Sequence, residues 1–132
     1  MPNMIVVERD AVLRDILGIV FADWGYHSLC FAEEDAAIAY LETAPFGQYV
    51  CFDYAPHTQR ATQLFAHLCG DVAFRERHHF LLMTTLHPLP ASLQEMLTRW
   101  HLPWVQKPFA LATLHQVVAD RMHTPECALA VR

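Results

Sequence analysis

The chain has 132 residues, enough for one domain built on one core. Hydrophobic residues make up 54% and charged residues only 17%, which excludes a long disordered segment and supplies enough apolar surface to cover a sheet on both faces. The net charge is -5 and the arginines are scattered with no basic run, which argues against nucleic acid or an anionic membrane surface as a direct partner.

Met4 to Val7 is a short apolar, β-branched run and reads as a buried strand. Asp10 can cap the helix that follows to about Asp23, with Leu13, Ile16, Leu17, Val20 and Phe21 at helical spacing. Trp24-Gly25 stops that helix, and Tyr26 to Phe31 reads as a second strand. Glu33-Glu34-Asp35 places negative charge at the start of a helix, where the macrodipole favours it, and the helix runs to Ala44 before Pro45. Tyr49 to Phe52 is a third strand ending at Asp53.

Thr58 to Cys69 is predicted as helix, closed by Gly70, with Asp71 to His78 a polar connection. Phe80 to Met83 is a fourth strand ending at Thr84-Thr85, followed by a fourth helix from Ala91 to about His101. Pro103 to Gln106 is a short fifth strand ending at Lys107-Pro108, and Ala110 to Met122 is the fifth helix. Residues 1–122 form one predicted domain, and 123–132 a frayed C-terminal tail.

Strand and helix alternate five times. That order predicts an α/β fold: a parallel sheet covered by helices on both faces, with right-handed crossovers. At this size the natural form is a (βα)5 flavodoxin-like three-layer sandwich with strand order 2-1-3-4-5. Ligands of such sheets bind beyond the carboxyl ends of the strands. Those ends carry Glu8-Arg9-Asp10, Asp53, Thr84 and Lys107, so acid, acid, hydroxyl and amine should share one crevice. Lys107 is the only lysine in the chain, and a compact ammonium can contact a single oxygen where a planar guanidinium would not fit.

Four cysteines, Cys30, Cys51, Cys69 and Cys127, show no C-x-x-C spacing, so reduced thiols and a cytoplasmic location are expected. The N-terminus has no basic region followed by a long apolar stretch, so no signal peptide is expected, and no run approaches the roughly 18 apolar residues of a membrane span. The nine histidines read as surface or packing residues. The four glycines form no phosphate-cradling loop at a strand end, which leaves a flavin or nucleotide binder the weakest reading.

The segments Ile5-Val6-Val7-Glu8-Arg9-Asp10 with Leu13-Arg14, Val50-Cys51-Phe52-Asp53 with Pro56, Leu82-Met83-Thr84-Thr85, and Trp104-Val105-Gln106-Lys107-Pro108-Phe109 together resemble the response-regulator receiver domain of two-component signalling. The match in order and spacing runs from about residue 4 to 122, and the Lys-Pro-Phe piece is the most specific. The resemblance implies that Asp53 accepts a phosphoryl group from a phosphohistidine on a histidine kinase or phosphotransfer protein. It implies that Lys107 contacts that group, that the Thr84 hydroxyl turns inward to it, and that Trp104 is the switch aromatic. Mg2+ would be held by Glu8, Asp53 and the backbone carbonyl of Ala55. The Lys107-Pro108 bond would be cis. Output would pass to a partner protein or domain, or to a homodimer, through the face between the fourth and fifth helices. No enzymatic activity is implied beyond phosphorylation and self-dephosphorylation at Asp53.

The sequence departs from the resemblance in two places. Arg9 occupies the position of the usual direct metal ligand, and the loop after Asp53 reads Tyr54-Ala55-Pro56, one residue shorter than expected. At a few ångströms each unit of charge is worth roughly 4 kcal/mol near a protein surface, so Arg9 weakens Mg2+ binding. Two roles for Arg9 stay open: replacing the metal, by pairing with Asp53 and with a phosphoryl group, or locking Asp53 in an ion pair that prevents turnover. The second leaves a phosphorylation-independent pseudo-receiver, an interaction module whose binding face would carry Trp100, His101 and Trp104, unless the two tryptophans pack into the core.

Overall fold

The computed structural model describes residues 3–55 and 63–122. The elements follow in chain order: β1 (Asn3–Val7), α1 (Ala11–Asp23), β2 (His27–Phe31), α2 (Glu34–Thr43), β3 (Tyr49–Tyr54), α3 (Gln63–Gly70), α4 (Val72–Arg77), β4 (His79–Thr84), α5 (Ala91–Arg99), β5 (Trp104–Gln106) and α6 (Leu111–Val117), which runs into a π-helical turn (Val118–Met122). All strand pairs are parallel and the sheet order is β2-β1-β3-β4-β5, as the alternation predicts.

Side chains alternate across a strand, so each inner strand feeds two cores. Ile5, Val7, Val50, Phe52, Phe80 and Leu82 point to the layer of α2, α3, α4 and α5. Met4, Val6, Cys51, Leu81, Met83 and Val105 point to the layer of α1 and α6. Burial on both faces is why these strands read as unbroken apolar runs rather than alternating ones. Each fully buried leucine or phenylalanine contributes about 1.5–3 kcal/mol by leaving water.

The helix boundaries follow local chemistry. The Asp10 side chain accepts a hydrogen bond from the Leu13 amide at 3.0 Å and caps α1, while Leu17 and Phe21 bury its inner face. Trp24 ends the helix and Gly25, at φ 97°, takes the left-handed conformation that lets the chain turn into β2.

The connection expected from Asp71 to His78 is instead largely helical, as α4. Asp71 caps it through the Phe74 amide at 3.0 Å, and Phe74 buries itself against His67, His78 and Phe80. Residues 58–62 of the expected Thr58–Cys69 helix and the Pro56 of the third-strand motif lie outside the described residues, as does the tail 123–132. Among the described residues no helix is long and apolar enough to cross a membrane.

Candidate functional site

The pleat that divides the two cores also assembles the site. Met4 and Val6 on β1 share a parity with Glu8, Cys51 on β3 shares one with Asp53, and Val105 on β5 shares one with Lys107. β1, β3, β4 and β5 are consecutive in the sheet and end together, so these three polar residues crown the core packed under α1 and α6.

Lys107 bridges the two acids. Its Nζ donates to Asp53 Oδ1 at 2.8 Å and to Glu8 Oε1. The Glu8 side chain is 2% exposed, that of Asp53 15% and that of Lys107 13%. Burial disfavours the ammonium, but the hydrogen bonds and charges of Asp53 and Glu8 outweigh it, so the Lys107 pKa is raised and the side chain stays charged. The second Glu8 oxygen, Oε2, accepts from the Asp10 amide at 3.1 Å. Beneath them lies Cys51, whose thiol is pushed up by burial first and by Glu8 next; it stays protonated and takes no part as a thiolate.

Thr84 ends β4 opposite Tyr54, one position past the Asp53–Met83 pair, and is fully buried. Its carbonyl accepts from the Lys107 amide at 2.7 Å, which fixes the backbone from which the lysine springs. Its hydroxyl accepts from the Leu86 amide at 3.1 Å. The predicted rim therefore joins Thr84 to Lys107 through the backbone, with the hydroxyl engaged elsewhere. The Lys107-Pro108 bond is cis, as expected. Trp104 pairs with Leu82 and shares the face of Thr84 two residues along; the residue is 38% exposed.

Arg9 does not pair with Asp53, which both sequence expectations had it do. Its guanidinium pairs with Glu33, at the start of α2, at 3.8 Å, and both side chains are about half exposed. The partner of Asp53 is Lys107, not Arg9. The reason is positional: Lys107 leaves the end of β5 directly above the buried carboxylates, while Arg9 sits at the solvent rim where Glu33 competes for it. Trp100 is half-buried, with its ring stacked under Arg75 at 4.4 Å and against Phe65 at 6.0 Å. His101, at φ 52°, and Trp104 remain on the outside.

One residue within the matched motif had no role assigned from sequence. Arg14, one turn into α1, donates to the carbonyls of Glu8 at 3.0 Å and Arg9 at 3.3 Å. It holds the loop after β1 so that Glu8 points inward. Its separation of six residues from Glu8 is the sequence signal, visible only once a strand-turn-helix geometry is assumed.

The expected Mg2+ does not fit this donor set. Among the described residues no group of three or more His, Cys, Asp or Glu side chains could hold a metal ion. Both carboxylates are tied to one ammonium, Asp10 is committed as the helix cap, and the position of a third acid holds a guanidinium directed at Glu33. Ala55 is half-buried at the edge of the described residues and adds only a backbone carbonyl.

No protein-family model and no curated relative matches the sequence. Solved structures do. The chemotaxis protein CheY4 of Vibrio cholerae superposes with a TM-score of 0.72 at 17% identity, covering 92% of this chain and 98% of that one. The chain has the fold of response-regulator receiver domains. A CheY-like receiver domain of Methanospirillum hungatei gives 0.72 at 16% identity, over 92% of this chain and 94% of that one. The response regulator TrrA of Thermotoga maritima, solved in complex with Mg2+-BeF, gives 0.68 at 16% identity, over 90% and 97%. The parallel sheet sets Asp53, Lys107 and Glu8 at its carboxyl end, because the strands that carry them finish side by side.

Proposed function

We infer that this chain is a receiver module of two-component phosphorelay signalling, with Asp53 as phosphoacceptor. The observation that carries this reading is the Lys107 Nζ contact at 2.8 Å to Asp53 Oδ1, on a carboxylate that keeps an opening to solvent. A carboxylate oxygen of Asp53 attacks the phosphorus of a phosphohistidine on a histidine kinase or phosphotransfer protein. The P–N bond breaks, its electron pair returns to the imidazole nitrogen, and that nitrogen is protonated from solvent. The product is an acyl phosphate. Lys107 stays within contact of the modified side chain and offsets the added negative charge.

Phosphorylation then competes for the Thr84 hydroxyl, which leaves the Leu86 amide for a phosphoryl oxygen, and Trp104 on the same face follows it. The readout passes to an output protein or domain, or to a second copy, through the face of α5, β5 and α6. This is a signalling role; chemistry at Asp53 is limited to gaining and losing the phosphoryl group.

A second reading, a pseudo-receiver that binds partners without phosphorylation, is favoured by one specific observation: the described residues bring no third metal-ligating side chain to Glu8 and Asp53. Acetyl phosphate or phosphoramidate, with and without Mg2+, followed by intact mass, separates the two. The phosphoacceptor reading expects a single phosphoryl adduct that disappears in Asp53→Ala. An adduct that survives Asp53→Ala defeats it by placing the acceptor elsewhere, and no adduct under any condition defeats it and leaves the pseudo-receiver.

A further inference from the structure

Among the described residues the site holds too few ligands for a dication, yet it holds one fixed cation and borders a second. Lys107 is locked between Glu8 and Asp53. Arg9 stands at the rim, one residue beyond Glu8, in the bend that follows β1, the strand next to β3. Exchanging a carboxylate for a guanidinium at that position adds two units of positive charge, which is the charge a divalent ion would bring. Glu8, Asp53, Lys107 and Arg9 therefore sum to neutrality with no metal present.

We propose that Asp53 takes up its phosphoryl group independently of divalent metal, with the Arg9 guanidinium supplying the positive charge that a bound cation would otherwise provide. The inference rests on Asp53 being the phosphoacceptor. Three features of this chain support it. The Arg9 backbone is pinned, because Arg14 holds the carbonyls of both Glu8 and Arg9, so the side chain always starts from the rim. Its tie to Glu33 is a 3.8 Å contact between half-exposed groups, the kind of pair that contributes little and exchanges partners readily. A phosphoryl group on Asp53 is a stronger, multiply charged competitor, and a planar guanidinium can meet two of its oxygens at once. Asp10 cannot restore the missing ligand without giving up the cap of α1.

The test uses the full chain and two separate readouts. Mn2+ binding is followed by loss of the free-ion electron paramagnetic resonance signal, and phosphoramidate adduct yield by intact mass in EDTA and in Mg2+. The wild type should leave the Mn2+ signal unchanged, and Arg9→Asp should gain binding by roughly tenfold or more. The wild-type adduct should form equally in EDTA and Mg2+, Arg9→Ala should lose yield in EDTA by roughly tenfold, and Arg9→Asp should need Mg2+. Wild-type Mn2+ binding as tight as that of Arg9→Asp, or a wild-type adduct seen only with Mg2+, overturns metal independence and leaves Asp53 as acceptor. No adduct in any variant overturns both this inference and the phosphoacceptor reading.

Discussion

Glu8 is the most deeply buried charge of the site, and it is tolerable only because Lys107 and the Asp10 amide meet its two oxygens. Removing Lys107 while keeping Glu8 strands a carboxylate in the interior. Lys107→Met should therefore cost about 3–5 kcal/mol in urea unfolding, and adding Glu8→Gln to it should recover a large part. A Lys107→Met variant as stable as wild type would mean that the carboxylate finds solvent after all. The sign of the pH effect follows from the raised pKa. Stabilisation by Lys107 is fully present below the ordinary lysine value of 10.5 and is lost as pH rises through the higher folded value. The residue types of the site were legible in the sequence, since a lone lysine and an aspartate at strand ends are visible there. The partner of Arg9 was not, because Glu33 comes from another loop and the sequence does not say which cation reaches Asp53 first.

At the scale of elements, His78 ties three of them together at the opposite end of the sheet. Its Nδ1 accepts from the Gln48 amide at 2.9 Å, at the entry to β3, and its Nε2 donates to the Leu41 carbonyl of α2 at 3.1 Å. Burial holds its pKa down to about 4, so the ring is neutral in the folded chain at pH 7. The unfolded chain binds a proton below about 6.5 that the folded chain refuses until about 4, and stability falls as pH drops through that window. His78→Phe leaves the Gln48 amide and the Leu41 carbonyl unpaired and should cost about 2–3 kcal/mol at neutral pH. The gap between wild type and variant should close by about 3 kcal/mol between pH 6.5 and 4, measured by urea unfolding at each pH. A gap independent of pH would show that His78 does not titrate this way. α4, which leads into His78, escaped the sequence reading for a physical reason. Six residues with one buried aromatic carry no periodicity, and its existence rests on the Asp71 cap and on Phe74 finding the α2–α5 layer.

The whole molecule is one sheet with a core on each side, and neighbouring residues of one strand serve different cores. Leu81 packs under α1 and α6, while Leu82 packs on the layer of α2 to α5. Leu81→Ala and Leu82→Ala should each cost about 2–5 kcal/mol. Because β4 belongs to both cores, each variant should still unfold in one transition, with far-ultraviolet circular dichroism and tryptophan fluorescence coinciding. Separated transitions would show that the layers melt independently.

By itself the sequence determined the strand runs, their alternation with helices and the set of polar residues at the strand ends. Those are local matters: apolar runs, caps and turn residues act over a few positions. Only the tertiary structure decided that Lys107 rather than Arg9 holds Asp53, that the Thr84 hydroxyl rests on the Leu86 amide, and that Trp100 packs under Arg75 while Trp104 faces out. Each of those outcomes is a competition between groups far apart in the chain, settled by distance and burial, which exist only after the sheet has closed.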